Sequence, residues 1–322
     1  MKNIIIIEYL TSLNKKSNFS KQIFAEAINI ISCLSENFKS KNKILFIRNK
    51  IYSRFDKPGV KYLETDSTLC WKKIIKKFDP RNTVILLIAP ESGNSYFTMA
   101  RYLLEKKFEI LNSDLDLIKT FSSKKFTFQF LKKNKIPCID IIKGINSTRK
   151  IIIKPDFGTG SEKIMFRKAG NKIFKGSHGS FDNCVIQEYL PGLVGSVNLL
   201  CQAGKNNLLS CNRHITSKSN KSIKQIGSII GGLEKHRKEL KALCNKLTKK
   251  FAKLFGFIGI DVIFDNNQWK ILEVNSRITS TYCGLEHAYG KEIQMFITSF
   301  YLKKKFTNKT FGLIKEYKLL FK

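Results

Sequence analysis

Gly259-Ile260-Asp261-Val262-Ile263-Phe264-Asp265-Asn266-Asn267-Gln268-Trp269-Lys270-Ile271-Leu272-Glu273-Val274-Asn275 is the stretch on which the reading of this chain turns. Two apolar runs, Ile258–Phe264 and Gln268–Val274, flank Asp265-Asn266-Asn267, which has the composition of a hairpin turn. Period-two geometry places Glu273 and Asn275 on one face of their strand, with Val274 opposite. The hairpin brings Asp261, twelve residues before Glu273, beside them. Two carboxylates and an amide oxygen that converge suit Mg²⁺ (or Mn²⁺), a hard cation that keeps waters and binds through nucleotide phosphates. Burying two unpaired carboxylates would be costly. A structural Asp at position 261 is the alternative reading.

Three further motifs lie upstream. Ile151-Ile152-Ile153-Lys154-Pro155 runs into Asp156-Phe157-Gly158-Thr159-Gly160-Ser161. A strand delivers a lysine, and glycines follow that let backbone N–H groups approach phosphate oxygens. No Gly-Lys-[Ser/Thr] is present, so this is not a P-loop, and a plain β-turn fits the same residues. Val185-Ile186-Gln187-Glu188-Tyr189-Leu190-Pro191-Gly192 is a buried strand ending in a carboxylate and a Pro-Gly turn. Such an edge can offer backbone groups to an adenine and a carboxylate to ribose hydroxyls; a surface Glu at a strand end fits it too. Asn212-Arg213-His214 follows a strand, and Arg277 stands two residues beyond Asn275. Arginine suits a developing phosphate or carboxylate charge, although each of these could be a surface residue and His214 a structural one.

Before these motifs, residues 1–113 alternate strands and helices. Ile4–Ile7, Ile44–Ile47 and Val84–Ile88 read as buried strands, and 19–38 and 95–107 as helices, which predicts an open α/β sheet. Ligands sit beyond the carboxyl ends of such strands, where Glu91 and Ser92 fall. A helix over 114–134 stops before Pro137. From Lys150 onward the texture is strands with Gly-rich turns: 151–154, 163–166, 172–174, 185–189, 195–202 and 207–211. An amphipathic helix over 234–255 follows. His178 and Gly179 read as a mobile loop. The expected organisation is an N-terminal α/β lobe (1–113), a small α+β lobe (114–190), a large α+β lobe carrying the metal site (191–300) and a basic tail (301–322).

The chain has 322 residues, 43% hydrophobic, with 58 basic against 25 acidic residues and a net charge of +33. Whole-chain disorder is excluded. Nine basic residues are Arg and the rest Lys, a skew away from base-reading surfaces. Basic residues are spread along the chain with no compact arm, so no specific nucleic-acid partner is expected, and a basic polyanion-binding protein is the competing reading. The eight Cys form no CxxC pair, which speaks against a zinc knuckle. No apolar run of spanning length exists, and Ile4–Ile7 is too short for a signal-peptide core. A cytoplasmic protein with reduced thiols is expected.

The order Lys124, Lys154-Pro-x-x-Gly-x-Gly-Ser, Gln187-Glu188-Tyr189, Asp261, Glu273-x-Asn275 resembles the ATP-grasp ligases, over residues 114 to 300. That resemblance implies an α/β lobe followed by two α+β lobes gripping Mg-ATP, and ATP-driven joining of a carboxylate to an amine through an acyl phosphate. Carried over by position, Lys124 and Lys154 would contact the phosphates, with Lys124 preferred to Lys125 because Thr127 and Pro137 keep the family spacing. Residues 156 to 163, including Gly158, Gly160 and Ser161, would form the lid. Gln187, Glu188, Tyr189 and Leu190 would hold adenine and ribose. Asp261, Glu273 and Asn275 would hold the metal, and Arg213 would stabilise the transferred phosphoryl group. Arg277, with Ser280 and Thr281, would face the acceptor carboxylate, and Glu8, Tyr9, Glu91 and Ser92 would form the acceptor wall.

Two departures stand out. Ser123 replaces the Asp that often precedes the first lysine, and Gly259 replaces an Arg common two residues before the strand Asp. Ile88-Ala89-Pro90-Glu91, Asn212-Arg213, Gly231-Gly232 and Asn275-Ser-Arg-x-Thr-Ser are similar to the tyramine–glutamate ligases of methanofuran biosynthesis. That implies small-molecule substrates, glutamate through its γ-carboxylate and a tyramine-like amine; a homodimer is the superfamily's habit. The same fold acting on another amino acid or a peptide is the remaining alternative.

Overall fold

The computed structural model describes residues 2–13, 19–38, 43–142, 150–158, 164–168, 183–219 and 222–321. The first sheet holds β1 (Asn3–Glu8), β2 (Ile44–Asn49), β3 (Lys61–Thr65), β4 (Thr83–Ile88) and β5 (Glu109–Ile110), all parallel, in the order β3-β2-β1-β4-β5. Both faces of β1 are apolar because helices cover both. Helices α1 (Tyr9–Ser12), α2 (Lys21–Phe38), α3 (Trp71–Ile75) and α4 (Ser95–Glu105) follow in this lobe. Ile4 and Ile6 pack with Ile30, Leu34 and Phe38 of α2. Ile5 and Ile7 pack on the opposite face with Trp71, Met99 and Leu103. This explains the unbroken β-branched run. Strand order reverses between β1 and β4, so the crevice beyond Glu8 and Ala89 is the switch point where doubly wound sheets bind ligands.

The helix expected over 114–134 is two helices, α5 (Leu115–Ser122) and α6 (Lys124–Lys133). Ser123 between them is extended, with φ −102° and ψ 123°. Its Oγ accepts the Phe126 N–H at 3.2 Å and lies 2.9 and 3.0 Å from the Asp156 carboxylate oxygens. Asp156 Oδ1 also accepts the Lys125 N–H at 2.8 Å. Helical periodicity runs through the break, but a new N-terminus forms because two side chains satisfy its donors.

The second sheet is β6 (Lys150–Pro155), β7 (Met165–Lys168) and β8 (Cys184–Glu188), antiparallel in the order β7-β6-β8. Gly160, Ser161, His178, Gly179 and the strand expected at 172–174 lie outside the described residues.

The third sheet comprises β9 (Leu193–Gln202), β10 (Lys205–Lys218), β11 (Ile223–Ile230), β12 (Gly256–Asp265), β13 (Gln268–Asn275) and β14 (Tyr317–Leu320), in the order β13-β12-β9-β10-β11-β14. Helix α7 (Arg237–Lys250) covers one face, packing Leu240, Leu243 and Leu247 on Val197, Leu199, Ile258 and Ile260. This helix is shorter than the span 234–255, because residues 234–236 form a separate 3₁₀ turn. Helices α8 (Leu285–Tyr289) and α9 (Lys291–Lys303) precede the final strand. Part of the basic segment 301–322 thus returns to the body, with Tyr317–Leu320 pairing antiparallel to β11.

The first and third sheets are joined by a buried ion pair. Arg277 Nε and Nη2 donate to Glu91 Oε1 and Oε2 at 2.9 and 2.7 Å. Burial opposes the Arg277 charge, and Glu91, by charge and hydrogen bond together, holds the guanidinium protonated beyond its usual range. Nearby, Tyr96 OH donates to the Ser276 carbonyl at 2.7 Å. Glu91→Gln leaves the guanidinium buried without its counter-charge, and urea unfolding should register a loss of about 3–5 kcal/mol. A loss below about 1 kcal/mol would show that the pair does not clamp the lobes.

Candidate active site

Asp261 and Glu273 face one another as a register pair of β12 and β13. The turn between the strands has Asn266 at φ 48° and Asn267 at φ 58° and pairs Asp265 with Gln268. Two left-handed residues make the turn that matches strand twist. The register then shifts, Val262 pairing with Ile271, so Leu272 is the extra residue of a bulge. Consecutive side chains normally point to opposite faces, but a bulge re-aims one. Leu272 and Glu273 accordingly both line the same cavity.

That cavity has a volume of about 290 Å³ and lies between the second and third sheets. Ile152, Leu190, Val194, Ile263 and Leu272 give it apolar walls, and Lys124, Lys154, Glu273 and Asp261 occupy its polar end. Lys124 Nζ donates to the Gly158 carbonyl at 2.8 Å and lies 3.3 Å from Glu273 Oε1. The Ser123–Asp156 cap aims it there; Lys125 is not among the lining residues. Burial lowers the Lys154 pKa to about 8, partly offset by Glu273. Gln187 is 1% exposed and lines the cavity, and both polar atoms of its side chain lack a hydrogen-bond partner among the described residues. A buried amide with no protein partner points to a polar ligand edge. Glu188, Tyr189 and Leu190 continue the wall, and Lys218 Nζ donates to Tyr189 OH at 3.0 Å across the opening. Arg213 is exposed at the rim.

A second cavity, of about 130 Å³, opens at the switch point between β1 and β4. Asp261, Glu273, His214 and Gln225 line both cavities. Asn275, Arg277, Ser280 and Thr281 line the second. Glu8 is on its wall as well, whereas Tyr9 and Ser92 are not, and Glu91 is committed to Arg277. Gly259 also lines it, and a Cβ there would come within 2.6 Å of Thr279 Cγ2. The space that an Arg would need at position 259 is filled by the loop after β13.

The electrostatics ask for a cation. Burial first, and the Glu273 charge second, push the Asp261 carboxyl up to about 8. His214 cannot supply the charge. Burial lowers its pKa to about 4, so its imidazole is neutral, with Nε2 3.6 Å from Asp261 Oδ1. Among the described residues no group of three or more His, Cys, Asp or Glu side chains is placed to hold a metal ion by itself. Two carboxylates and the Asn275 amide fit a hard cation whose remaining ligands are water and phosphate.

The family model of the ATP-grasp domain matches residues 121–281, half of the 322-residue chain. The chain belongs to the ATP-grasp family. The tyramine–L-glutamate ligase of Methanocaldococcus jannaschii is 25% identical over 206 residues, 62% of this chain and 58% of that protein. The match therefore spans less than two thirds of the relative's length. Among solved structures, an ATP-grasp superfamily protein from Archaeoglobus fulgidus superposes with a TM-score of 0.73 at 18% identity, covering 92% of this chain and 88% of that one. The biotin carboxylase domain of Hydrogenobacter thermophilus 2-oxoglutarate carboxylase, solved with MgADP and bicarbonate, superposes at 0.68 and 13% identity, covering 95% and 71%. No described helix is long and apolar enough to cross a membrane.

Lys218 and Gln225 were not singled out in the sequence, and Asp156, expected as the first residue of the lid, is buried instead. Asp156 caps the helix that bears Lys124, Lys218 closes the cavity mouth, and Gln225 lies between the two cavities. Only Asp156 had a local signal, its place directly after Lys154-Pro155. The carboxylate pair yields a test with opposed signs. Asp261→Asn should raise the melting temperature of the metal-free protein by roughly 2 °C or more. The same variant should lose most of the further rise that Mg-ATP gives the parent. Thermal scans with and without Mg-ATP read both, and an unchanged Mg-ATP response would remove Asp261 from the metal set.

Proposed function

We propose that this chain is an ATP-dependent carbon–nitrogen ligase, joining the γ-carboxylate of glutamate to a tyramine-like amine, as in methanofuran-type coenzyme biosynthesis. The observation that carries this reading is the wall of Asp261 and Glu273 shared by two cavities. A nucleotide in one cavity and a carboxylate in the other would meet at it. The substrate pair is supported by the name of the methanogen relative.

Mg²⁺, held by Asp261, Glu273 and Asn275, would supply positive charge to the phosphate oxygens. The apolar walls and the Gln187 amide take the adenine, and Glu188 the ribose. Lys124 and Lys154 set two ammonium groups against the phosphates, in a site where low dielectric strengthens each interaction. A γ-carboxylate oxygen of glutamate attacks the γ-phosphorus, the bond to the β–γ bridging oxygen breaks, and ADP leaves. The amine nitrogen, uncharged at that moment, attacks the acyl carbon. Phosphate departs, and the nitrogen gives up one proton. No covalent enzyme intermediate is needed; positioning and electrostatics do the work. Water must be kept from the acyl phosphate, which the pinning of the lobes by Arg277 and Glu91 favours. In this reading Arg277 positions the loop of Ser280 and Thr281, and Arg213 approaches the phosphoryl group from the rim.

The test is ADP release by the purified protein with Mg-ATP and glutamate, with and without tyramine, and mass analysis of the product. The expected result is amine-dependent ADP and a glutamyl amide. Glu273→Ala should abolish ADP formation while the protein remains folded. ADP formed without amide would keep the ATP-grasp chemistry and overturn the substrate pair. Near-normal ligation by Glu273→Ala would overturn the metal assignment.

A further inference from the structure

Two places among the described residues bring cysteines together. Cys201, Cys211 and Cys244 share the core under α7, all buried, and burial pushes each thiol up. Such thiols are inert.

Cys33 and Cys283 have a different setting. Cys33 lies on α2, and Cys283 lies in the 3₁₀ turn Ser280–Gly284 that follows β13. Both are half-buried, and both pack against the core that Ile30, Leu34 and Phe38 of α2 share with Tyr282 and Leu285. Polar bonds fix this contact. Asn37, one helical turn beyond Cys33, donates from Nδ2 to Tyr282 OH at 2.9 Å, and Gln294 Nε2 donates to the Tyr282 carbonyl at 3.1 Å. The two thiols meet there. The Cys283 S–H donates to the Cys33 sulfur, which lowers the Cys33 pKa and raises that of Cys283. Burial opposes the Cys33 thiolate and Lys57 favours it, whereas burial and then Glu26 keep Cys283 protonated. One thiol is thereby suited to act as nucleophile and its neighbour as the resolving partner.

The same contact borders the smaller cavity. Helical spacing puts Gln22, Ile23, Glu26, Ala27 and Ile30 on one face of α2, and that face lines the cavity. The turn contributes Ser280 and Thr281. A covalent link between residues 33 and 283 would join two walls of the cavity that come from different lobes.

We infer that Cys33 and Cys283 form an oxidation site, at which hydrogen peroxide links α2 to the 280–284 turn and locks the smaller cavity. The Cys33 sulfur attacks a peroxide oxygen. An S–O bond forms, the O–O bond breaks, and the departing hydroxide leaves as water with the Cys33 proton. The Cys283 sulfur then attacks the sulfur of the Cys33 sulfenic acid. An S–S bond forms, the S–O bond breaks, and a second water carries away the Cys283 proton. The thiol pair loses two electrons, and the peroxide takes them up as it becomes two waters. The cross-link is independent of the ligase reading. Its effect on turnover rests on that reading, because substrate entry and product release require the walls to part.

The test treats the full chain, reduced and desalted, with hydrogen peroxide. Peptide mapping by mass should find residues 33 and 283 joined, lighter by two hydrogens and restored by dithiothreitol. The melting temperature of the oxidised chain should rise by roughly 4 °C. Cys283→Ser should stop at a sulfenic acid on Cys33, which dimedone captures. Cys33→Ser should keep Cys283 as a free thiol under the same treatment, and either variant serves if the other folds poorly. ADP release by the oxidised parent should fall at least roughly tenfold and recover with dithiothreitol, while peroxide leaves the rate of Cys33→Ser unchanged. Thiols 33 and 283 that stay free in the parent, or that pair with other cysteines, overturn the inference. Oxidation of Cys283 in Cys33→Ser overturns the assignment of roles. Equal ADP release before and after cross-linking overturns the lock on the cavity. No ADP from the reduced parent overturns the ligase reading, and the mass and melting readouts still decide the oxidation site.

Discussion

Two carboxylates held face to face in a buried cross-strand pair are the constraint on which the rest of this molecule depends. Burial, and then the charge of Glu273, push the Asp261 carboxyl up, and the surrounding structure keeps the two side chains together nonetheless. The Asn266–Asn267 turn starts the hairpin, and the bulge at Leu272 brings Glu273 opposite Asp261. The bulge at Leu272 turns two consecutive side chains into one cavity. Lys124 and Lys154 approach from the second sheet, and Lys154 is itself pushed towards neutrality by burial. Two carboxylates and two lysines thus share one buried cluster, an arrangement that marks a functional site.

The lobes are positioned around that pair by polar links whose partners lie far apart in sequence. Asp156 and Ser123 join the second sheet to α6 and turn Lys124 inward. Glu91 and Arg277 join the first sheet to the loop after β13. Gln22 joins α2 to β11. Removing one partner of a buried charge pair leaves the other uncompensated, so the Arg277–Glu91 link holds the two lobes in one arrangement. The two cavities share a wall because these links hold three separately built sheets in one relative position.

Much of this was legible in the residues because period-two and turn signals are local. The hairpin, the buried strands of the first lobe and the shared face of Glu273 and Asn275 follow from spacing, whereas the pairing of Asp261 with Glu273 depends on the bulge at Leu272. The break at Ser123 was not legible, since apolar periodicity continues through it and the cap depends on Asp156, 33 residues away. β14 was hidden because Tyr317–Leu320 is short, and its pairing with β11 is a tertiary choice. The basic texture of 301–322 suggested a solvated tail instead. Arg277 was read as a ligand for substrate because its partner, Glu91, lies 186 residues earlier. Gln22 and Glu26 gave no signal, as an amphipathic helix carries such residues on any solvated face. Only the fold shows that this face looks into a cavity.

The charge of the chain acquires a different meaning once the cavities are seen. A net charge of +33 read as a global property points to polyanions. Inside the molecule the charge is sorted: two lysines stand at the polar end of the larger cavity, and carboxylates line the smaller. The two cavities thus differ in the charge of their linings although they share one wall. Low dielectric in each cavity makes the local sign count for more than the screened field outside. The lysine excess is then a background against which the two cavities are defined.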